Sequence, residues 1–357
     1  MDWSFYKNKK ILITGHTGFK GSWMCKLLVE LGAEVTGYAL EPQGEASMFE
    51  ICGITKEMNS VIGDIRDLDK LQQTVRAVKP EFVIHMAAQP IVLESYRNPV
   101  YTYDVNVMGT VNILETIRTN DCVKSFLNVT TDKVYLNREW EWGYRENEEL
   151  NGYDPYSNSK SCSELVTSSY KNSFFGADNK RVLPISTARA GNVIGGGDFA
   201  ANRIIPDCVR AMQAGKAIEV RNPNSIRPYQ HVLEPVTAYL MILKEQCENP
   251  VIAGSYNVGP NEKDCINTGH VAAEFCRNWE NYTGNKAEWV CTNVNGPHEA
   301  NFLKLDCAKL KNTFGWSPRW DVEQTLEKTV GWYAEYVNGA DMNAVTEKQI
   351  KEFLKKY

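Results

Sequence analysis

The sequence predicts an α/β protein: a doubly wound parallel sheet of the Rossmann type, with a smaller mixed α/β lobe after it. Three observations predict it. Short apolar runs alternate with helix-like segments through the first half of the chain. A glycine-rich turn, "TGHTGFKG", stands between the first such run and the first helix. The 357 residues, 43% hydrophobic and 23% charged, suffice for one large domain and a smaller second one.

The elements follow in order. "KKILITG" reads as a strand and "KGSWMCKLLVELG" as a helix stopped at Gly32. "AEVTGYAL" is the second strand, and "SVIGDI" ends a third. "LDKLQQTVRAVKP" is a helix closed by Pro80, and "EFVIHMAA" a fourth strand. "VYTYDVNVMGTVNILETIRTN" is one long helix, "VKSFLNVT" the fifth strand, "YSNSKSCSELVTSSYKNSF" another helix and "RVLPISTARA" the sixth strand. The pattern then loosens: "GNVIGGGDFAANR" is a glycine-rich loop and "IIPDCVRAMQAG" a helix. This places a cofactor domain at residues 1–185, with a later segment (about 230–258) crossing back to it. Residues 186–357 form mainly a substrate lobe.

Composition excludes several classes. A net charge of −5 gives no reason to expect nucleic acid or an anionic membrane as partner. No apolar run approaches the ~18 residues of a membrane span. The opening "MDWSFYKNKK" is polar and runs straight into a strand, so no secretory signal is expected and the cytoplasm is the expected compartment. The ten cysteines are scattered without a CxxC pair or a histidine at ligand spacing. They read as reduced thiols, and no metal site is expected.

The loop "TGHTGFKG" sets Gly15, Gly18 and Gly21 in a GxxGxxG spacing. Glycine permits the tight turn and the close approach, and the helix N-terminus offers free N–H groups to a pyrophosphate. Asp64 in "GDIRD" either accepts from an adenine amino group or is an ordinary turn aspartate. At the end of the second strand, where an acid would bind a ribose hydroxyl, stands Ala39, with Glu41 two residues on. No Arg or Lys there welcomes a 2′-phosphate, so NAD is favoured over NADP.

"YSNSK" places Tyr156 and Lys160 one helical turn apart, a spacing at which a lysine can hold a phenol near its ionised form. The chain has two other such pairs, Tyr6 with Lys10 and Tyr282 with Lys286. Only Tyr156 opens a helix some way beyond the fifth strand of a glycine-loop domain. That strand ends in "NVTTDKVYLN", with Thr131, Asp132 and Lys133 adjacent. Strand ends of open parallel sheets deliver chemistry, and an acid beside a base is unusual there. Successive strand residues point oppositely, but a loop past the strand end can aim both inward. Tyr135 is expected to pack. In the second lobe, "GNVIGGG" with Asn192 suits a sugar diphosphate, Arg203, Arg221 and Arg227 are candidate phosphate partners, and His231 and His298 have weaker claims. Trp140 and Trp142 either cover the site or pack beneath it.

These residues together resemble the extended short-chain dehydrogenases/reductases, over nearly the whole chain. Thr131-Asp132 at the strand end resembles the Thr-Asp-acidic motif of the nucleotide-sugar 4,6-dehydratases, with Lys133 departing from it at the third place. The strings "GHTGFKGSW", "TTDK", "NREWEWGYRENE", "ARAGNVIGGGDF", "IRPYQHVLEP" and "PHEANFLKLD" resemble the branch that acts on CDP-sugars. The better-known dTDP-glucose enzymes place Glu where this chain has Lys133. The resemblance implies NAD as cofactor, CDP-glucose as substrate, a lyase of deoxysugar and lipopolysaccharide synthesis, and a homodimer or homotetramer. It sets Gly15, Thr17, Gly18, Phe19, Gly21, Asp64, Ile65, Ala87, Ala88 and Asn106, with Tyr156 and Lys160, against the cofactor. It sets Gln89 in "HMAAQP", with Asn192, Arg203, Arg221, Arg227 and His298, against the substrate. Tyr156 would take the proton of the sugar 4-OH, and Thr131 would hydrogen-bond near O4. Asp132 and Lys133 would serve loss of water, with Lys133 either the base at C5 or a cation beside the enolate. Nothing in the residues themselves reads cytosine. The alternatives are a dehydratase of another nucleotide-sugar or a nucleotide-sugar 4-epimerase; an epimerase needs no acid–base couple after Thr131, a ketone reductase has no use for Asp132, and non-enzymatic sensors on this fold often lack the Tyr–Lys pair that is intact here.

Overall fold

The computed structural model describes residues 2–44, 46–176, 179–292 and 303–357. Seven parallel strands form its main sheet: β1 (Lys10–Thr14), β2 (Glu34–Ala39), β3 (Asn59–Ile62), β4 (Phe82–His85), β5 (Ser125–Val129), β6 (Ile185–Ala190) and β7 (Ser255–Val258). Their spatial order is β7-β6-β5-β4-β1-β2-β3. The chain therefore winds outward on one side of β1, then returns to β4 on the other. That reversal opens a crevice above the C-terminal ends of β1 and β4, where doubly wound sheets bind ligands.

Both faces of the sheet are covered, so the central strands are buried on both sides. Ile11, Ile13, Ile84, Leu127, Val129 and Ala188 pack into the core on one face. Leu12, Val83, Phe126 and Ile185 pack into the core on the other. The covering helices are α1 (Phe19–Glu30), α2 (Leu68–Val78), α3 (residues 99–118) and α4 (Pro155–Phe174); beyond β6, α5 (Ile204–Gln213) packs in the second lobe and α6 (Leu233–Glu248) returns to the sheet. Two starts obey local rules: Asp67 caps α2 through the Lys70 N–H, and Asp154 caps α4 through the Ser157 N–H with Pro155 in its first turn.

Three details differ from the sequence expectation. The long helix α3 starts at Pro99 and contains a π turn, Asp104–Met108, with a further short helix, Val92–Arg97, before it. The glycine-rich loop after β6 carries a short strand, Val193–Ile194, paired in parallel with Gln230–His231. That pairing returns the chain to the sheet, where α6 runs down β5: Ser125 Oγ donates to the Leu243 carbonyl at 2.9 Å and Gln246 Nε2 to the Phe126 carbonyl at 2.9 Å. The rest of the second lobe joins Ile218–Val220 to Trp289–Cys291 and Ile226–Pro228 to Cys265–Asn267, packed by the helices Thr268–Thr283, Val322–Val337 and Met342–Leu354. Among the described residues, no helix is long and apolar enough to cross a membrane.

Candidate active site

The glycine loop forms the floor of the crevice. Gly15 has φ +78°, and a Cβ there would lie 2.7 Å from the Ala87 nitrogen, so the ends of β1 and β4 touch through it. A Cβ on Gly21 would lie 2.1 Å from the Gly15 carbonyl. Gly18 differs. A Cβ there would meet only the Gly15 carbonyl, at 3.5 Å, so protein packing does not demand this glycine. It heads α1 without a side-chain cap, leaving the helix N-terminus open toward the crevice. These residues fit a dinucleotide diphosphate. Thr17 Oγ1 donates to the Leu40 carbonyl at 2.9 Å, which ties the loop to the end of β2, where Ala39 and Glu41 bring no cation.

Other residues expected at the cofactor serve the walls. Asp64 is held by Arg66 through its side chain and backbone, which keeps its carboxyl below the usual range, and Arg66 also reaches Asp104 at 3.1 Å. Its carboxylate is thus committed within the protein. Ile65 is buried against Gly109. Asn106, in the π turn, accepts from the Gln89 N–H at 2.8 Å and donates to the Gln89 carbonyl and to Ser159 Oγ. It clamps the "HMAAQP" turn to α4. The Gln89 side chain, expected at the substrate, is engaged by Thr102 and the Ile91 N–H. Ala87 donates its N–H to Thr14 Oγ1, and Ala88 and Phe19 are half-buried along the crevice.

At the end of β5 the chain turns sharply. Thr131 caps a single 3-10 turn, Asp132–Val134. Its hydroxyl donates to Asp132 Oδ1 at 3.0 Å and accepts from the Lys133 N–H at 3.4 Å. The Asp132 carboxyl is buried; its Oδ2 has no hydrogen-bond partner among the described residues and faces Gly191, where a Cβ would come within 2.2 Å of it. Asp132 therefore turns to Thr131, not to Lys133, and only the Lys133 backbone joins the hydrogen bonding of the turn.

From α4, Tyr156 meets this turn. Burial pushes its phenol up to about 12; a hydrogen bond with Thr131 and the guanidinium of Arg203 pull it down, against Asp132 and Asp154. Lys160 was expected to steady that phenol. Its ammonium instead donates to the Val129 carbonyl at 3.2 Å, and the cation acting on Tyr156 is Arg203. Burial lowers Lys160 to about 8, with nearby Lys20 adding to the effect and Glu164 opposing it. The other two Tyr–Lys pairs are elsewhere. Tyr6 is buried with its hydroxyl on the Leu240 carbonyl, and Tyr282 is exposed beside Glu327.

The sequence reading missed two groups. Lys20, in the first turn of α1, enters the same crevice; burial lowers it to about 8, Arg203 adds to that, and Asp132 opposes it. Its signal was a lysine inside an otherwise apolar helix start. Behind the strand end lies a buried ion pair, Glu164 with Arg189, at 2.9 Å. Glu164 also accepts from Thr130 and from Thr187, and Arg189 donates to the Tyr135 hydroxyl, which bonds Asn257. Tyr135 thus anchors a network as well as packing. Breaking such a buried pair on one side costs about 3–5 kcal/mol. Its signal was a charge in the buried strand "PISTARA" and a glutamate one turn beyond Lys160.

In the second lobe, Arg203 pairs with Asp198 at 2.7 Å and lies near Tyr156. Asn192 is half-buried and accepts on its backbone carbonyl from the Gln230 N–H; Arg227 is half-buried on its strand, and Arg221 is exposed. His231 is structural: burial holds it neutral at about 3, its Nδ1 accepts from the Leu233 N–H, and its ring sits against Trp23 and Trp320. His298 lies outside the described residues. Trp140 stacks on Tyr144, which stacks on Tyr135, while Trp142 stands exposed at the edge.

A doubly wound sheet with a GxxGxxG crevice, a Tyr-x-x-x-Lys helix and a hydroxyl at the end of β5 defines the extended short-chain dehydrogenase/reductase class. Within it the chain belongs to the nucleotide-sugar 4,6-dehydratase family, whose model, described as GDP-mannose 4,6 dehydratase, matches residues 12–329. It is 45% identical to the CDP-glucose 4,6-dehydratase of Salmonella typhimurium, over 99% of this chain and 98% of that one. Among solved structures, the fold is similar to the dTDP-glucose 4,6-dehydratase of Bacillus anthracis in complex with NAD, with 21% identity, a TM-score of 0.75 and coverage of 93% and 98%. It is also similar to a UDP-glucose-4-epimerase of Stenotrophomonas maltophila with bound NAD, with 20% identity, a TM-score of 0.78 and coverage of 93% and 100%.

Proposed function

We propose that this protein dehydrates CDP-glucose to CDP-4-keto-6-deoxy-glucose. The observation that carries the reaction is Thr131, Asp132 and Lys133 gathered in one turn against Tyr156. An epimerase or a reductase needs the tyrosine but neither member of the acid–base couple. The choice of CDP-glucose rests on the 45% identity to an enzyme of that name.

NAD, held by the Gly15–Gly21 loop and the open N-terminus of α1, would accept the C4 hydride and deliver it to C6. The protein's residues do the rest. Tyr156 takes the proton of the 4-hydroxyl, and Thr131 hydrogen-bonds at O4. The 4-ketone acidifies the C5 hydrogen. Lys133, free of Asp132, removes that proton or balances the enolate, and Asp132 protonates the departing C6 hydroxyl. Arg203, Arg227 and Arg221 are the cations for the substrate diphosphate, with Asn192 beside the sugar.

A homo-oligomer fits the apolar side chains left exposed on α3 and α4, among them Val100, Met108 and Leu165. Ten free thiols fit a reducing cytoplasm.

The test is incubation with CDP-glucose and NAD without an external hydride donor, followed by mass spectrometry of the sugar. Loss of one water with C4 deuterium recovered at C6 supports the reading. An unchanged mass with altered stereochemistry makes the protein an epimerase. Label lost to solvent removes the internal hydride return.

A further inference from the structure

The turn that carries Asp132 and Lys133 has little with which to hold its own shape. It is a single 3-10 turn, Asp132–Val134. One such turn fixes several dihedrals and gains few hydrogen bonds in return. Its side-chain ties are the Thr131 hydroxyl to Asp132 Oδ1 at 3.0 Å and the Lys133 N–H to Thr131 Oγ1 at 3.4 Å. Both gather at the start of the turn. What fixes the rest must come from outside it.

Thr130 and Tyr135 flank the capped turn, and both lead to one buried ion pair. Thr130 Oγ1 donates to Glu164 Oε1, and Arg189 Nη1 donates to the Tyr135 hydroxyl at 2.8 Å. Glu164 and Arg189 are joined twice, Nε to Oε1 at 3.0 Å and Nη2 to Oε2 at 2.9 Å. Glu164 Oε2 also accepts from Thr187 Oγ1 at 2.6 Å, and Arg189 Nη1 also donates to the Glu146 carbonyl at 3.0 Å. The Tyr135 hydroxyl donates onward to Asn257 Oδ1 at 2.7 Å, and Asn257 Nδ2 donates to the carbonyls of Tyr144 and Asp306. None of Glu164, Arg189, Tyr135 and Asn257 is more than 3% exposed. A buried polar network whose members are all satisfied is rigid.

We propose that the Glu164–Arg189 pair and the Tyr135 hydroxyl are positioning groups for water loss: they clamp the turn at both ends and so set Asp132 and Lys133 for their work at C6 and C5. The role rests on the dehydration reading. A buried ion pair is weak evidence for stability, because apolar residues of similar volume often serve as well. Its use here is geometric, since two of its bonds bracket the catalytic turn. Helix α4 grips the upstream end twice, with Glu164 on Thr130 and Lys160 on the Val129 carbonyl at 3.2 Å. The downstream end is gripped through the Tyr135 hydroxyl. Tyr156 stands outside the clamp, because it rides on α4 itself. Releasing the downstream end therefore leaves the oxidation base in place and loosens Lys133, two residues before Tyr135.

Tyr135→Phe is the test. Tyr135 is also bridged to Leu150 through the backbone and stacked on Tyr144, so the substitution keeps the ring and releases only the hydroxyl's bonds. In a single turnover with enzyme in excess over CDP-glucose, NADH absorbance follows oxidation, and mass spectrometry of quenched samples follows water loss. NADH should form at a rate near wild type, and water loss should slow by ~10-fold or more; a misplacement of about an ångström costs up to ~10²-fold. The same substitution is then made in enzyme that already carries Asp132→Asn and Lys133→Met. With both positioned groups gone, it should slow water loss no further. Tyr6→Phe, which loses a buried hydrogen bond away from the clamp, should keep the wild-type ratio of the two rates. A wild-type ratio in Tyr135→Phe, or its full loss repeated in the background without Asp132 and Lys133, overturns the clamp and leaves the pair holding the fold alone. If Tyr135→Phe does not fold, the upstream end decides: Thr130→Ser should keep the ratio and Thr130→Val should lower it, and equal ratios in the two overturn the clamp. Wild-type enzyme that loses no water from CDP-glucose sinks the dehydration reading, and any role in water loss with it; wild-type water loss with an unchanged ratio in the variants sinks the clamp alone.

Discussion

The ammonium of Lys160 donates to the carbonyl of Val129 at 3.2 Å. The helix that carries Tyr156 is thereby bonded to the last residue of the strand that leads to Thr131. The lysine acts on the geometry of the strand end first, and on charge second. Its charge is nonetheless tunable, because burial and Lys20 lower it to about 8.

A pH dependence follows. Lys160 loses its proton as pH rises through about 8, so kcat/KM for the oxidation step, which reports free-enzyme groups, should fall above that pH. Lys20 and Lys160 are coupled and titrate as a pair. Lys20→Met removes a neighbouring positive charge, so Lys160 keeps its proton to higher pH and the falling limb moves up. The sign for stability is opposite to that of a favourable ion pair. Both lysines sit below their unfolded value of roughly 10.4. The unfolded chain therefore binds more protons between about 8 and 10.4, and this pair makes the fold more stable as pH rises through that window. Urea unfolding of wild type and Lys20→Met across that range checks the second half; a limb that stays in place in the variant sinks the first.

Tyr156→Phe should lower turnover by ~10²-fold or more, the usual scale for removing a general base. Tyr6→Phe and Tyr282→Phe should turn over like wild type, because one hydroxyl is spent on the Leu240 carbonyl and the other stands beside Glu327 at the surface. A large loss in either, with Tyr156→Phe active, would move the reaction to another pair.

The sequence made the fold legible where periodicity and punctuation agree. β1, α1 and β2 were readable because "ILI" is an apolar run and glycines stand where the chain turns. The π turn in α3 was not, because one wide turn spans too few residues to disturb the apolar spacing of the helix around it; Asn106 within it is tied to Gln89 by two hydrogen bonds. At the site, Thr131, Asp132 and Tyr156 were readable as chemistry out of place. The Glu164–Arg189 pair was not, since a glutamate on a helix and an arginine on a strand carry no label of burial until the two elements pack. For Lys160, spacing on a helix tells which residues share a face, not which carbonyl an ammonium finds, here that of Val129.

Gly191→Ala should damage the loss of water more than oxidation. A Cβ at this position would come within 2.2 Å of Asp132 Oδ2, and the three atoms nearest to it all belong to Asp132, so that carboxyl must move first. In a single turnover, bound NADH should form at a rate near wild type and then persist, followed by its absorbance. Oxidation lost as severely as water loss would mean that the methyl displaces the whole strand end.

Asp132 and Lys133 carry the most specific prediction. Asp132→Asn keeps the shape but removes the transferable proton, and Lys133→Met keeps the stem but removes the amine. Each should slow water loss by ~10²-fold or more while the first half-reaction continues, so a 4-keto-hexose and NADH accumulate. The two residues form no ion pair with each other, so neither substitution strands the other's charge. The double variant should be little worse than the poorer single one, because one concerted step needs both groups. Lys133→Arg divides the two roles open to Lys133. A guanidinium does not deprotonate in proteins, so an arginine that retains most of the rate makes residue 133 a cation beside the enolate, and an arginine as slow as methionine makes it the base. Full-rate dehydration by Asp132→Asn would remove the acid from this turn altogether.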